Sequence, residues 1–149
     1  ASLKFLYGES AVENRDEKAY NALRASYWSG NQADVNPQCI FKPSKQAHVS
    51  VVVLLSRLTQ CHFAAKSGGH AAFAGASGSE GGITISFANL KAVTLSNDKT
   101  IASIEPGNIW GDVYAQLAKS DLTVIGGRLY DIGVGGLTTG GIYTQYSSY

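Results

Sequence analysis

The sequence contains no methionine, only two cysteines, Cys39 and Cys61, and three prolines. With no methionine even at position 1, Ala1 is expected to be a processed start, as left by removal of a signal peptide, and a secretory location is the expectation that goes with it. Two cysteines constrain little by count alone. Neither sign of charge dominates: twelve Lys and Arg stand against eleven Asp and Glu, and the basic residues are scattered from Lys4 to Arg128. That pattern leaves no electrostatic footprint for nucleic acid. Long apolar runs are missing too. The longest is Val51-Val52-Val53-Leu54-Leu55, far short of the ~20 residues a membrane span requires, so a soluble chain without a membrane partner is expected.

What is present reads as globular. At 149 residues, 44% hydrophobic and 15% charged, the chain is long enough for one domain with a core and too short for two full ones. Residues 13–28 have helical character, with Ala19, Tyr20, Leu23 and Tyr27 at helical spacing and Asp16-Glu17 at the start; Gly30-Asn31 ends it. Cys39-Ile40-Phe41-Lys42 reads as a short strand, Ser44 as the cap of an apolar helix running to about Leu58, and residues 61–66 as the next strand. This is a parallel strand-helix-strand unit, and a helix apolar almost all round requires cover on most sides. Residues 83–87 alternate as a strand, and 92–95 with 100–104 form a hairpin about Asn97-Asp98-Lys99. Pro106-Gly107-Asn108 turns the chain, with Asn108 as a cap, and Trp110, Val113, Tyr114 and Leu117 share one helix face. Residues 122–125 read as a further strand. The expected class is α+β: an N-terminal helical segment over 1–35, then a parallel unit followed by mixed and antiparallel strands.

Seventeen glycines exceed the usual ~7%, and they concentrate in two stretches, each just after a strand: "KSGGHAAFAGASGSEGG" at 66–82 and "GGRLYDIGVGGLTTGG" at 126–141. Glycine opens positive φ and removes the side chain, so successive N–H groups can converge on an anion, most often a phosphate. Residues 75–82 taken alone read equally as a flexible surface loop. The common signatures fail. Neither cluster ends in Gly-Lys-Ser/Thr, the sixth place counted from Gly133 is Thr138 where a dinucleotide fingerprint needs glycine, and Ser79 stands where a nucleophile elbow around Ser77 needs one.

Several ordered motifs carry a resemblance. Lys66-Ser67-Gly68-Gly69-His70, then residues 106–114 (PGNIWGDVY), Gly126-Gly127-Arg128 and Gly133-Val134-Gly135-Gly136-Leu137-Thr138 resemble the PCMH-type FAD-binding domain of fungal berberine-bridge-enzyme-like oxidoreductases, members of the vanillyl-alcohol-oxidase superfamily found in secondary metabolism. The resemblance covers 36–142 and leaves 143–149 as a divergent tail with Tyr143, Tyr146 and Tyr149. It implies that the loop with Lys66, Ser67, Gly68, Gly69 and His70 wraps the FAD diphosphate, and that His70 is joined through a ring nitrogen to the 8α-methyl of the isoalloxazine. That methyl can lose a proton, and a neutral imidazole nitrogen can then attack its carbon. The second loop, with Gly126, Gly127, Gly133, Val134, Gly135, Gly136, Gly140 and Gly141, would lie along the flavin and its ribityl-phosphate. Some family members attach FAD a second time through a cysteine shortly before the GVGG segment; residues 127–133 hold none, so a single histidyl bond is implied.

The family's chains are much longer, and their substrate-covering half has no counterpart here; the catalytic base is therefore unknown. Three functions remain open: a fragment or part of an FAD-linked oxidase acting on a small-molecule substrate, a naturally truncated relative serving without FAD as a binding module, subunit or non-redox catalyst, or a nucleotide-binding domain of unrelated activity. An incomplete domain would also expose a sheet edge, which a second copy or a complementary chain would cover.

Cys39 and Cys61 each open a strand beside the same helix, which places them within disulfide range, the alternative being two buried thiols. A metal site from Cys61, His62 and His70 is opposed by the alternation of adjacent strand residues and the lack of ligand spacing, so no metal is expected. His48 reads as an ordinary exposed side chain, His62 as a hydrogen-bonded strand residue, and Asp112 and Trp110 as helix start and core.

Overall fold

A computed structural model describes residues 2–141; the tail at 143–149 with Tyr143, Tyr146 and Tyr149 lies outside the described residues. The chain opens with α1 (Ser2–Tyr7), β1 (Val12–Asn14), α2 (Lys18–Ala25) and α3 (Gly30–Ala33). The expected helix over 13–28 is thus a strand and a shorter helix. Asp16 takes a positive φ of 71° that no helix accommodates, and the Glu17 carboxylate accepts from the Asn14 N–H at 3.0 Å, closing a turn between the two elements.

Next come β2 (Cys39–Phe41), α4 (Gln46–Thr59), β3 (Phe63–Lys66) and β4 (Ile83–Ser86). They form, with β1, a four-stranded sheet in the order β1-β2-β4-β3. β1 is antiparallel to β2, while β2 and β3 both run parallel to β4. The parallel unit was legible, but its strands are not neighbours, because β4 lies between them. The expected Cys39–Cys61 disulfide is corrected by the same fact: both cysteines are free. Cys39 pairs with Ile83, whose other neighbour is Phe63, and Cys61 lies beyond that strand's start. Two strand spacings amount to roughly 9–10 Å, outside the ~7 Å Cα limit of a bridge.

Leu3, Val12, Phe41, Val52 and Ile85 form the core between this sheet and the helices α1 and α4. α4 buries Val52 and Ser56, whereas Leu54 and Leu58 are exposed, so the cover expected on most of its sides is not there among the described residues. Neither Ser44 nor Asn108 caps a helix: the caps are Lys45 and Ile109, without side-chain bonds, and Asn108 Nδ2 instead donates to Glu105 O at 2.9 Å.

The hairpin appears as β5 (Val93–Leu95) antiparallel to β6 (Ala102–Ile104), followed by α5 (Trp110–Ala118) and α6 (Val134–Gly140). A second core gathers Val93, Trp110, Val113, Leu117, Val134 and Leu137. The 3.6-residue spacing of Trp110, Val113 and Leu117 puts them on one buried face, each buried aliphatic contributing about 1.5–3 kcal/mol. Residues 122–125 form no strand; Leu122 and Val124 pack against this core, but among the described residues no strand pairs with them. His48 is half-buried with its ring 4.3 Å from that of Tyr7, and His62 is exposed just before β3. Among the described residues no helix is long and apolar enough to cross a membrane, and no three His, Cys, Asp or Glu side chains cluster as metal ligands would.

Candidate functional site

β3 ends at Lys66 and delivers the first glycine loop directly. The second loop is fixed by the start of α5. Its carbonyls at Ile132 and Tyr130 accept the N–H groups of Trp110 and Gly111, both at 2.9 Å, taking donors that a helix start leaves unpaired. Val134 N–H in turn donates to Asn108 O at 2.9 Å, and Gly133 bridges Ile109.

The two loops meet through bare backbone. A Cβ on Gly68 would stand 2.5 Å from Gly133 N, and one on Gly133 would stand 2.1 Å from Gly68 N, distances that exclude any side chain at either place. Ser67 ties the contact together: its Oγ donates to Pro106 O at 2.5 Å and accepts from Gly135 N–H at 3.0 Å. Gly69 adopts φ of 76° with the Tyr27 ring so close that a Cβ would come within 2.7 Å of it.

Between the loops lies a cleft of about 500 Å³, inside the ~300–1,000 Å³ range of small-molecule sites. Ser67, Gly68, Gly69, His70, Gly133, Gly135 and Gly136 all line it, with Phe87, Pro106, Ile132, Leu137 and Thr139 among the remaining wall. His70 is half-buried, its Nε2 3.5 Å from Asp131 Oδ1. Among the described residues, the N–H groups of Gly68, Gly69, His70, Ala71 and Ala72 have no protein acceptor. Such a run of unpaired donors beside a glycine wall is what an anionic ligand needs.

Lys66 sits behind the loop, not in the cleft wall. It is only 7% exposed, its Nζ donates to Gly68 O at 3.3 Å and lies 4.8 Å from the Tyr27 ring centroid, and no carboxylate partners it among the described residues. Burial, and next the like charge of Lys91, pull its pKa below the ordinary lysine value. An uncompensated positive charge there favours a negative ligand nearby.

The remaining expected site residues fall elsewhere. Gly126 and Gly127 lie against the Trp110 ring, where Cβ atoms would come within 2.2 and 2.5 Å of it. Val134 belongs to the second core, while Gly140 and Gly141 are exposed at the end of α6, away from the cleft wall. Asp131 and the segment around Trp28 were given no role at the site from sequence, and Pro106 was read only as part of a turn and of the 106–114 motif. Their contacts run largely to backbone atoms, which no residue pattern announces.

Comparisons with known proteins bear on the family and the fold. A family described as FAD binding domain matches residues 37–149. An FAD-dependent monooxygenase of Cochliobolus heterostrophus (tpcD) is 39% identical over 127 residues, covering 85% of this chain and 24% of the relative. Another FAD-dependent monooxygenase, FUP4 of Fusarium proliferatum, is 43% identical over 115 residues, 77% of this chain and 22% of that protein. The chain therefore spans about a quarter of the length of these relatives. In fold it is similar to 6-hydroxy-D-nicotine oxidase from Arthrobacter nicotinovorans, with a TM-score of 0.75 at 24% identity over 85% of this chain and 27% of that one. Phl p 4.0202, a glucose dehydrogenase, gives 0.74 at 20% identity, covering 90% and 29%.

Proposed function

The chain belongs to the FAD-binding-domain family of FAD-linked oxidoreductases, and from that premise we propose that it holds FAD between its two glycine loops through one covalent bond to His70. The observation that carries this reading is the set of N–H groups from Gly68 to Ala71, residues that line the cleft from the Gly68–Gly133 contact onward and whose N–H groups have no protein acceptor among the described residues. Those donors would take the diphosphate oxygens, with the Lys66 charge behind them. Ser67 ties the two loops together. Gly133, Gly135 and Gly136 keep the opposite wall free of side chains, so that a flat ring can approach backbone.

His70 is the attachment residue in this reading. Its imidazole lines the cleft and is half-buried, open enough to reach a ligand, and the Asp131 carboxylate near Nε2 favours a proton on that nitrogen and so a lone pair on Nδ1. FAD, when bound, supplies two-electron oxidation of a substrate C–H or alcohol carbon, with the electrons passed on to dioxygen. The substrate is a small molecule, and its contacts and catalytic base come from outside residues 2–141.

Intact mass of the purified protein tests the proposal. An excess equal to one FAD is expected, together with yellow colour that survives acid precipitation. His70→Ala should release all flavin into the acid supernatant; flavin still attached in that variant would reject His70 as the tether.

A further inference from the structure

The residues that shape the first loop from outside lie before the matched family region, which begins at residue 37. Trp28 Nε1 donates to His70 O at 2.6 Å, Gln32 Nε2 to Ala71 O at 3.3 Å, and Ser29 Oγ to Ala72 O at 2.8 Å. Asn31 Nδ2 adds a second bond to Ala72 O at 3.2 Å, so three successive carbonyls are met by four side chains of one short segment. Further along the loop Gln32 Oε1 accepts from Ser77 N–H at 3.3 Å, and Tyr27 Oη donates to Ser77 O at 2.9 Å. Gln32 is fully buried, although nothing in the flavin reading calls on it.

The geometry of the peptide unit gives this grip a consequence. In a trans peptide the C=O of one residue and the N–H of the next point in opposite directions. Carbonyls 70–72 held toward Trp28, Gln32 and Ser29 therefore turn the N–H groups of Ala71, Ala72 and Phe73 to the other side. Those of Ala71 and Ala72 have no protein acceptor among the described residues, and Ala71 lines the cleft. A glycine-bearing loop without strand partners would otherwise sample many orientations, and ordering each residue costs roughly 1–2 kcal/mol. A ligand that had to order the loop itself would bind correspondingly less tightly.

We infer that Trp28, Ser29 and Gln32 are positioning residues of the flavin site, which preset the donor edge of the first loop by holding its carbonyl edge. The inference rests on the flavin reading above. It makes the segment at 27–32 part of the cofactor site and not a separate helical appendage.

The test is FAD affinity in a non-covalent background. His70→Ala with Asn31→Ala, which takes away the second donor to Ala72 O, supplies that background, and Trp28→Phe with Ser29→Ala removes two further donors while keeping ring and backbone. Trp28 is 59% exposed, so its change to Phe leaves the core untouched. FAD titration, followed by flavin fluorescence, should show affinity falling by about tenfold or more with the melting temperature nearly constant, and Ser29→Thr, which retains the hydroxyl, should recover the share lost in Ser29→Ala. Unchanged FAD affinity in the double variant, or failure of the threonine to recover any, overturns the inference while leaving the flavin reading intact. If the parent protein takes up no FAD at all, both fall together. Should the double variant fail to fold, Trp28→Phe alone decides by the same criterion.

Discussion

Gly133 and Gly136 stand three residues apart in the same glycine cluster, yet the structure gives them opposite reasons for being glycine. Gly136 is the third residue of α6, its backbone is helical, it lines the cleft, and a Cβ placed on it meets nothing within 4 Å. By helix propensity alone, alanine there should stabilise the fold by about 0.5–1 kcal/mol. For a domain of this size that is a rise of about 1–4 °C in melting temperature. The same methyl would project into the space assigned to the flavin and should weaken FAD binding at least ~10-fold, a cost of about 1.4 kcal/mol. Gly133 behaves otherwise. Its Cβ would lie 2.1 Å from Gly68 N, 2.6 Å from Ser67 Oγ and 2.7 Å from Gly68 Cα, largely backbone atoms that cannot swing aside.

Gly133→Ala must therefore separate the two loops, at an overpacking cost of about 1–3 kcal/mol, and should lose stability and FAD binding together. The assay is paired: thermal or urea unfolding without cofactor, and FAD titration, on both variants. A stabilised Gly136→Ala that still binds FAD like the parent would show that the ligand does not occupy this cleft. A Gly133→Ala of parental stability would show that the loops do not touch as described.

Other perturbations probe the supports of the site. Lys66→Met should be more stable than the parent by on the order of 1 kcal/mol near neutral pH. The folded-state pKa of Lys66 is depressed, so the folded parent bears the desolvation cost below that value and sheds it as pH rises toward the unfolded 10.5. The advantage of the methionine should accordingly shrink in urea unfolding curves taken at rising pH, and a gap that widens would contradict the assigned burial. Ser67→Ala removes the donor to Pro106 O and leaves Gly135 N–H without its acceptor, for a loss of about 1–3 kcal/mol that chemical denaturation would register; a loss below 0.5 kcal/mol by the same curves, about the noise of a surface change, would deny it the role of a tie. Thiol titration in denaturant without reductant should count both cysteines as free, and a count of none would restore the disulfide. Natively, Cys39 should react more slowly than an ordinary exposed thiol, because burial raises its pKa.

Much of the fold was legible in sequence wherever the signal is local. The run 39–66 announced its strand, helix and strand by periodicity, the hairpin by Asn97-Asp98-Lys99 between two alternating runs, and α5 by the spacing of Trp110, Val113 and Leu117. What failed was pairing at a distance. Nothing within 39–66 tells that β4, arriving seventeen residues after β3 leaves the sheet, will insert between β2 and β3. The disulfide expectation fell with that assumption of neighbouring strands. Residues 122–125 were read as a strand, but a strand also needs a paired neighbour, and among the described residues none pairs there; Leu122 and Val124 only pack against the second core.

The candidate site divides in the same way, and the division has a physical origin. Glycines crowded at 66–82 and 126–141 advertise close backbone approach because a missing side chain is itself a residue type. The grip on the first loop advertises nothing. Trp28, Ser29 and Gln32 bind main-chain carbonyls of His70, Ala71 and Ala72, and every residue carries a carbonyl, so the partners leave no mark on either stretch of sequence. Replacing Ala71 or Ala72 by another small residue would keep the acceptor, whereas replacing Gln32 removes a buried donor and acceptor at once. The constraint therefore falls on one side of each contact only. A cradle built this way leaves the N–H edge of its loop open to a ligand, and the residues that hold its shape sit where the loop itself cannot betray them.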